Sequence, residues 1–138
     1  MSTTIDYWQA MRTAAQAALT NAHAPYSRFR VAAALLTADG GIVTGVNVEN
    51  ASYGLTLCAE RNAIAAAVVQ SGSRLRILGM VVVSSGTKPT PPCGACRQVL
   101  CEFPPSFEVR CYGADSSELC TTSEALLPYA FGSKHLDK

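Results

Sequence analysis

Cys58-Ala59-Glu60-Arg61 and Pro92-Cys93-Gly94-Ala95-Cys96-Arg97-Gln98 decide how this chain folds and what it can do. Each reads as the opening turn of a helix. Between them they offer three thiolates and one carboxylate. Three protein ligands with an open fourth position is the arrangement of a catalytic zinc ion, whereas a structural zinc is closed by four. Glu60, two residues from Cys58, is near enough to handle protons on a water held by such an ion. C-x-x-C spacing alone is shared with redox pairs and zinc ribbons; the upstream Cys-Ala-Glu and the proline before the second pair narrow it. A closed site would need a fourth ligand. Cys101 falls about 12 Å beyond Cys93 along a single helix, too far to share an ion. Cys111, Cys120, His23 and His135 stay open on sequence alone, and none has ligand spacing to the C-x-x-C.

Around these stretches lies a chain of 138 residues, 49% hydrophobic and only 15% charged. That length is expected to form one domain, residues 1–138, with a real core. So few charges imply further burial between subunits. A formal net charge of +1 without a basic run argues against nucleic acid and against membrane surfaces as partners. The longest apolar run, Ala63 to Val69, has seven residues and cannot span a bilayer. The first residues lack a basic start and an apolar signal core, so a cytoplasmic location and reduced cysteines are expected. Asn50-Ala51-Ser52 matches a glycosylation acceptor, a match left idle by the same reasoning.

In chain order, Asp6 to about Thr20 is expected to be a helix, with Asp6 and Gln9 forming a capping box and Trp8, Met11, Ala15 and Ala18 on its apolar face. Phe29–Leu36 and Ile42–Val48 read as strands joined by the turn Ala38-Asp39-Gly40-Gly41, an antiparallel hairpin. A loop over 49–57 leads to a helix from Cys58 to about Ser71, ended by Gly72 in the left-handed conformation and buried all round. Ile77–Val83 has the unbroken apolar pattern of a strand covered on both faces. Cys93 to about Phe103 is a third helix; Phe107–Tyr112 and Leu119–Thr122 are strands, and Ser123–Leu127 a last short helix. The order αββαβαββα predicts an α/β protein, a three-layer α/β/α domain with a mixed five-stranded sheet.

Mid-helix, Cys58 and Glu60 would point apart. In a first turn, side chains lean back toward the N-terminus and converge just beyond it. The ion is therefore expected where two helix N-termini meet. Zn²⁺ with three thiolates carries one net negative charge, which opposes ionisation of a bound water. Helix N-termini offset that charge, and Arg61, three residues after Cys58, can reach back to the sulfurs.

The Cys-Ala-Glu box followed by Pro-Cys-x-x-Cys resembles the cytidine deaminase family in its short, three-cysteine form, and the resemblance runs over nearly the whole chain. It implies the cytidine-deaminase-like α/β/α fold and one zinc ion per subunit on Cys58, Cys93 and Cys96. The implied chemistry is hydrolytic: zinc-activated water attacks C4 of a cytosine ring. Glu60, the catalytic residue, passes the water proton to N3 and, in a second transfer, protonates the departing amine, leaving uracil and ammonia. Arg61, with Gln98 as a weaker second, is implied to temper the thiolates. Pro25-Tyr26-Ser27-Arg28-Phe29 resembles the family's first strand, so Phe29 is implied to pack on the pyrimidine. Asn47-Val48-Glu49-Asn50-Ala51 resembles the ribose-binding segment, with Asn47 and Glu49 on the sugar 3′-hydroxyl. Ala59 in the box is implied to touch substrate as well. The same resemblance implies a homotetramer with shared active sites, Ala51, Tyr53 and the aromatic lid Phe131 reaching substrate from neighbouring subunits. Arg30, Ala32, Thr56, Pro91 and Ser133 depart from the family's usual residues, and Arg30 beside Phe29 leaves the exclusion of phosphorylated substrates open.

The expected function is zinc-dependent deamination of cytidine and deoxycytidine, a small pyrimidine nucleoside being the partner. One alternative keeps the chemistry on a cytosine-bearing antibiotic such as blasticidin; another is a non-enzymatic structural zinc module with four ligands. Polynucleotide editing fits less well, since those deaminases carry histidine where Cys58 stands and this chain has no basic track.

Overall fold

The computed structural model describes residues 5–136. Asp6 caps α1 (Tyr7–Leu19), its carboxylate accepting the Gln9 N–H at 3.1 Å. The capping box is only half made: the Gln9 side chain donates to Thr13 Oγ1 instead of reaching back. A hairpin follows, β1 (Val31–Thr37) and β2 (Ile42–Val46), antiparallel with Ala34 opposite Thr44. Both strands are shorter than the apolar pattern implied, because Asn47 and Glu49 leave β2 to bond His23, in the segment before β1, while Val48 pairs with Leu57. After a 3₁₀ turn at Tyr53–Leu55 come α2 (Ala59–Ser71), β3 (Ile77–Ser84), α3 (Gly94–Leu100), β4 (Glu108–Tyr112) and β5 (Glu118–Thr122).

The sheet order is β2-β1-β3-β4-β5. Only β3 and β4 run parallel, and a parallel neighbour requires a crossover, here through α3. Strand alternation divides the core into two layers. Ala32, Ala34, Leu36, Val81 and Val83 face Met11 and Ala15 of α1. Ala33, Leu35, Met80 and Val82 face Ala63, Ile64 and Ala67 of α2 and Leu100 of α3. The expected three-layer α/β/α architecture and mixed five-stranded sheet are thus present.

Further expectations need correction, beginning with the helices. α2 is not buried all round: Ala65, Val68 and Val69 form an outward stripe, Val69 being 87% exposed. Gly72 ends α2 at φ 59° but ψ −146°, an extended positive-φ geometry rather than the left-handed helical one. Residues 123–127 form turns, not a helix. Thr122 Oγ1 accepts the Ala125 N–H as an N-cap would, and the Leu126 N–H reaches Thr122 O, but the Leu127 N–H turns to Glu124 O and Pro128 bars helical geometry at Leu127, so a single turn forms and does not propagate.

The topology gathers chain ends at one edge of the sheet. Because β1 is antiparallel to both neighbours, its first residues lie beside the last of β2 and β3, with Ala32 opposite Val46 and Val31 opposite Ser84. The segment carrying Phe29, the loop to Cys58 and the loop to Cys93 all meet there. α2 lies against β2 at backbone distance, since a Cβ on Gly45 would stand 2.4 Å from Ala63 N and 2.6 Å from Ala59 O. Asn62 Nδ2 donates to Val46 O at 2.8 Å and fixes the same contact.

Candidate metal centre

Cys58 and Cys93 are the N-cap residues of α2 and α3. Both have extended backbones, and neither side chain caps its helix, which leaves the sulfurs free. Cys96 lies one turn into α3 and is buried. The three Sγ atoms lie within 4.8 Å of one another. Cys58 Sγ and Cys93 Sγ are 3.8 Å apart, far beyond a disulfide bond. Two thiolates on one tetrahedral zinc, each at about 2.3 Å, would stand about 3.8 Å apart. The donor set therefore fits a single zinc ion held by three sulfurs.

Among the described residues this cluster has three members, not four. Cys101 spends its thiol on Ser123 O at 3.6 Å, and His135 is bonded to Gly132. Cys111 is buried in the core, and Cys120 is exposed on the edge strand β5, next to Glu118. A closed structural zinc site gains no support from this arrangement.

Arg61 Nη2 donates to Cys58 Sγ at 3.3 Å. A hydrogen bond from the Cys96 thiol, followed by that guanidinium, pulls Cys58 down to about 5. Cys96 is driven well up by the same hydrogen bond, by burial and by the charge of Glu60. Metal uptake must therefore displace protons from this cluster. Glu60, in the first turn of α2 and 5% exposed, has its carboxyl pushed up by burial and by the neighbouring Cys58 charge. Ala59 beside it is fully buried.

The wall beside the thiols is tied together by the residues expected to hold a sugar. Asn47, 8% exposed, accepts the Val31 N–H on Oδ1 at 2.9 Å and donates from Nδ2 to Phe29 O at 2.8 Å. Glu49 Oε1 accepts the Tyr26 and Ser27 N–H groups at 3.0 and 3.1 Å, and Oε2 accepts the Ser27 hydroxyl. Both residues thus position the turn leading into β1, and Ser27 is a partner that nothing in local sequence pattern signals. The Phe29 ring lies against Gly86, where a Cβ would meet Cε2 at 2.8 Å. Arg30 departs from the family's proline without disturbing this wall: its N–H donates to Ser85 Oγ at 2.9 Å, a bond proline could not make. Its side chain borders a separate recess with His23 and Arg28.

Gln98 does not reach the sulfurs in this structure. Its Nε2 donates to Phe131 O at 2.8 Å, because the C-terminal segment folds back against α3. Phe131 is 58% exposed, Tyr53 75% exposed, and Ala51 is exposed as well. Tyr26 and Tyr53 meet edge to face with centroids 6.0 Å apart. Cys58, Glu60, Cys93, Cys96 and Arg61 are thus brought together, while Ala51, Tyr53 and Phe131 face outward from the single chain.

A mixed sheet that presents three sulfurs and a buried carboxyl between two helix starts defines an α/β protein built to hold a metal beside a proton carrier. A family described as the cytidine and deoxycytidylate deaminase zinc-binding region matches residues 6–109, and the chain belongs to it. The cytidine deaminase of Halalkalibacterium halodurans is 47% identical over 119 residues, 84% of this chain and 87% of that protein. The crystal structure of cytidine deaminase from Burkholderia pseudomallei superposes with a TM-score of 0.82 at 44% identity, covering 89% of this chain and 98% of that one. That of the Mycobacterium tuberculosis cytidine deaminase gives 0.74 at 40% identity over 94% and 99%.

Proposed function

We propose that this chain, acting as a single deaminase domain, hydrolyses the C4 amino group of cytidine and deoxycytidine, releasing ammonia and leaving uridine and deoxyuridine. In this reading it serves pyrimidine salvage in the cytoplasm. The observation that carries the proposal is the Glu60 carboxyl, buried and raised beside three sulfurs whose spacing suits one tetrahedral ion. Cys58, Cys93 and Cys96 would hold the ion. When bound, zinc supplies Lewis-acid activation of water near neutral pH.

Every other role falls to the chain itself. Glu60 takes one proton from the attacking water and delivers it to N3 of the ring, then takes the remaining proton from the C4 hydroxyl and delivers it to the amine, so that the C4–N bond breaks as C4–O becomes a carbonyl. Its burial disfavours the charged carboxylate and so suits a group that must hold a proton during each turnover. Arg61 removes part of the thiolate charge that would otherwise oppose water ionisation. Phe29, backed by Gly86, offers its face to the pyrimidine. Asn47 retains one amide hydrogen and Glu49 spare acceptor capacity for the sugar hydroxyl. Ala59 borders the base.

The active form in this proposal is a homotetramer. The outward stripe of α2 and the exposed Tyr53, Leu55 and Phe131 supply apolar area for subunit contacts, and the last of these would close a neighbour's site. Among the described residues no helix is long and apolar enough to cross a membrane.

The direct test is to incubate the purified protein with cytidine and follow uridine and ammonia, before and after chelation and after zinc is restored. Turnover that disappears with the metal and returns with it is expected. Absence of turnover on cytidine, with turnover on a cytosine-bearing antibiotic, would replace the substrate while keeping the chemistry. A protein with zinc but no activity on either would remove the enzymatic reading.

A further inference from the structure

The C-terminal turn holds one aromatic ring unusually firmly for an exposed side chain. Gln98, from the helix that carries Cys96, grips the Phe131 carbonyl at 2.8 Å. Four residues further along, within the 3₁₀ turn Ser133–His135, the His135 imidazole lies against the Phe131 ring with centroids 5.5 Å apart and planes 16° from parallel. The Gly132 N–H donates to His135 Nδ1 at 3.0 Å, and the His135 backbone N–H donates to Gly132 O at 2.9 Å. Nδ1 also stands 3.3 Å from Gly132 O, so the ring is held to Gly132 through Nδ1 in either tautomer.

We propose that His135 is a positioning residue that fixes Phe131 as a preformed stacking platform for the substrate's pyrimidine. The proposal rests on the reading of Phe131 as a substrate contact. A free phenylalanine on a surface turn samples several rotamers, and ordering it on binding costs affinity. Here one face of the ring is occupied by imidazole and the backbone just after it is pinned, by Gln98 at the Phe131 carbonyl and by His135 at Gly132. The other face is left for a second flat group, in the offset stacking that aromatic pairs favour. Nothing in this arrangement touches the thiols or Glu60, so its effect falls on substrate affinity and not on the chemical step.

Four variants of the zinc-loaded enzyme test it: F131A, H135A, H135N, which keeps an acceptor near Nδ1, and H135F, which keeps the stack. F131A and H135A are expected to raise KM for cytidine about threefold to tenfold with little change in kcat, the size expected for one aromatic pair. H135N and H135F should each restore part of the loss. The F131A/H135A double variant should be no worse than F131A alone, since His135 acts through that ring. If F131A is impaired while H135A matches the parent, or if the two losses multiply, the positioning role is overturned and the substrate contact stands. If F131A itself leaves KM unchanged, the contact fails and the positioning role falls with it.

Discussion

Arg61 Nη2 sits 3.3 Å from Cys58 Sγ, a cation donating to a metal-competent sulfur from within the same helical turn. The contact follows from spacing. Cys58 is the N-cap of α2, and Arg61 follows it by three, so the guanidinium needs to fold back by only one turn to reach the sulfur. Replacing it by glutamine should leave zinc content at one per chain while lowering kcat about tenfold or more, the usual scale for a group supporting metal ligands. Metal analysis alongside steady-state kinetics checks this, and unchanged kinetics would remove the role.

Glu60→Gln keeps the size of the side chain but cannot carry a proton. Metal binding should persist, and ammonia release should fall about 10²- to 10⁴-fold, the range for loss of a general acid–base group. A variant that retains near-parental turnover would assign the proton transfers to another residue.

Gly45 has no room for a side chain beneath Ala59 and Ala63. Gly45→Ala must push α2 off the sheet, and overpacking of this kind costs about 1–3 kcal/mol. Since Cys58 and Glu60 ride on the displaced end, zinc affinity and turnover should fall together with the melting temperature. Equal loss of stability from a substitution distant from α2, with zinc affinity intact, gives the comparison that isolates the geometric effect.

Asp115 is held down to about 2 from an ordinary 3.8, first by the Ser117 hydroxyl and N–H, then by Lys88 at 3.2 Å. Its segment is bonded to the loop beneath Phe29, through Ala114 N–H to Gly86 O and Asp115 N–H to Thr87 O. A carboxyl with a depressed folded pKa adds stability that is fully present above its unfolded value and fades as pH falls from there through the folded one. The stability difference between the parent and Asp115→Asn should therefore be constant above roughly pH 4 and shrink toward pH 2. Urea midpoints measured across that range decide it; a difference that grows on acidification contradicts the assignment.

The ligand set, the carboxylate and the guanidinium were legible in the sequence because each relation among them is local. An N-cap, a first turn and a three-residue spacing are set by helix geometry alone, and the two apolar strand patterns with the hairpin turn between them announced the sheet. Everything that depends on which segments become neighbours was not legible. Antiparallel pairing of β1 with β3 is what carries Phe29 to the edge where Cys58 and Cys93 begin their helices. Gln98 has a chemistry suited to sulfur or to a carbonyl, and only the return of the C-terminal segment directs it to Phe131. Residues 123–127 have helical composition, yet they close only one turn, Leu126 N–H to Thr122 O, while the Ser123 and Glu124 N–H groups are anchored to Phe107 and Ser106. Short-range spacing fixes what a side chain can do; long-range packing chooses the partner with which it does it.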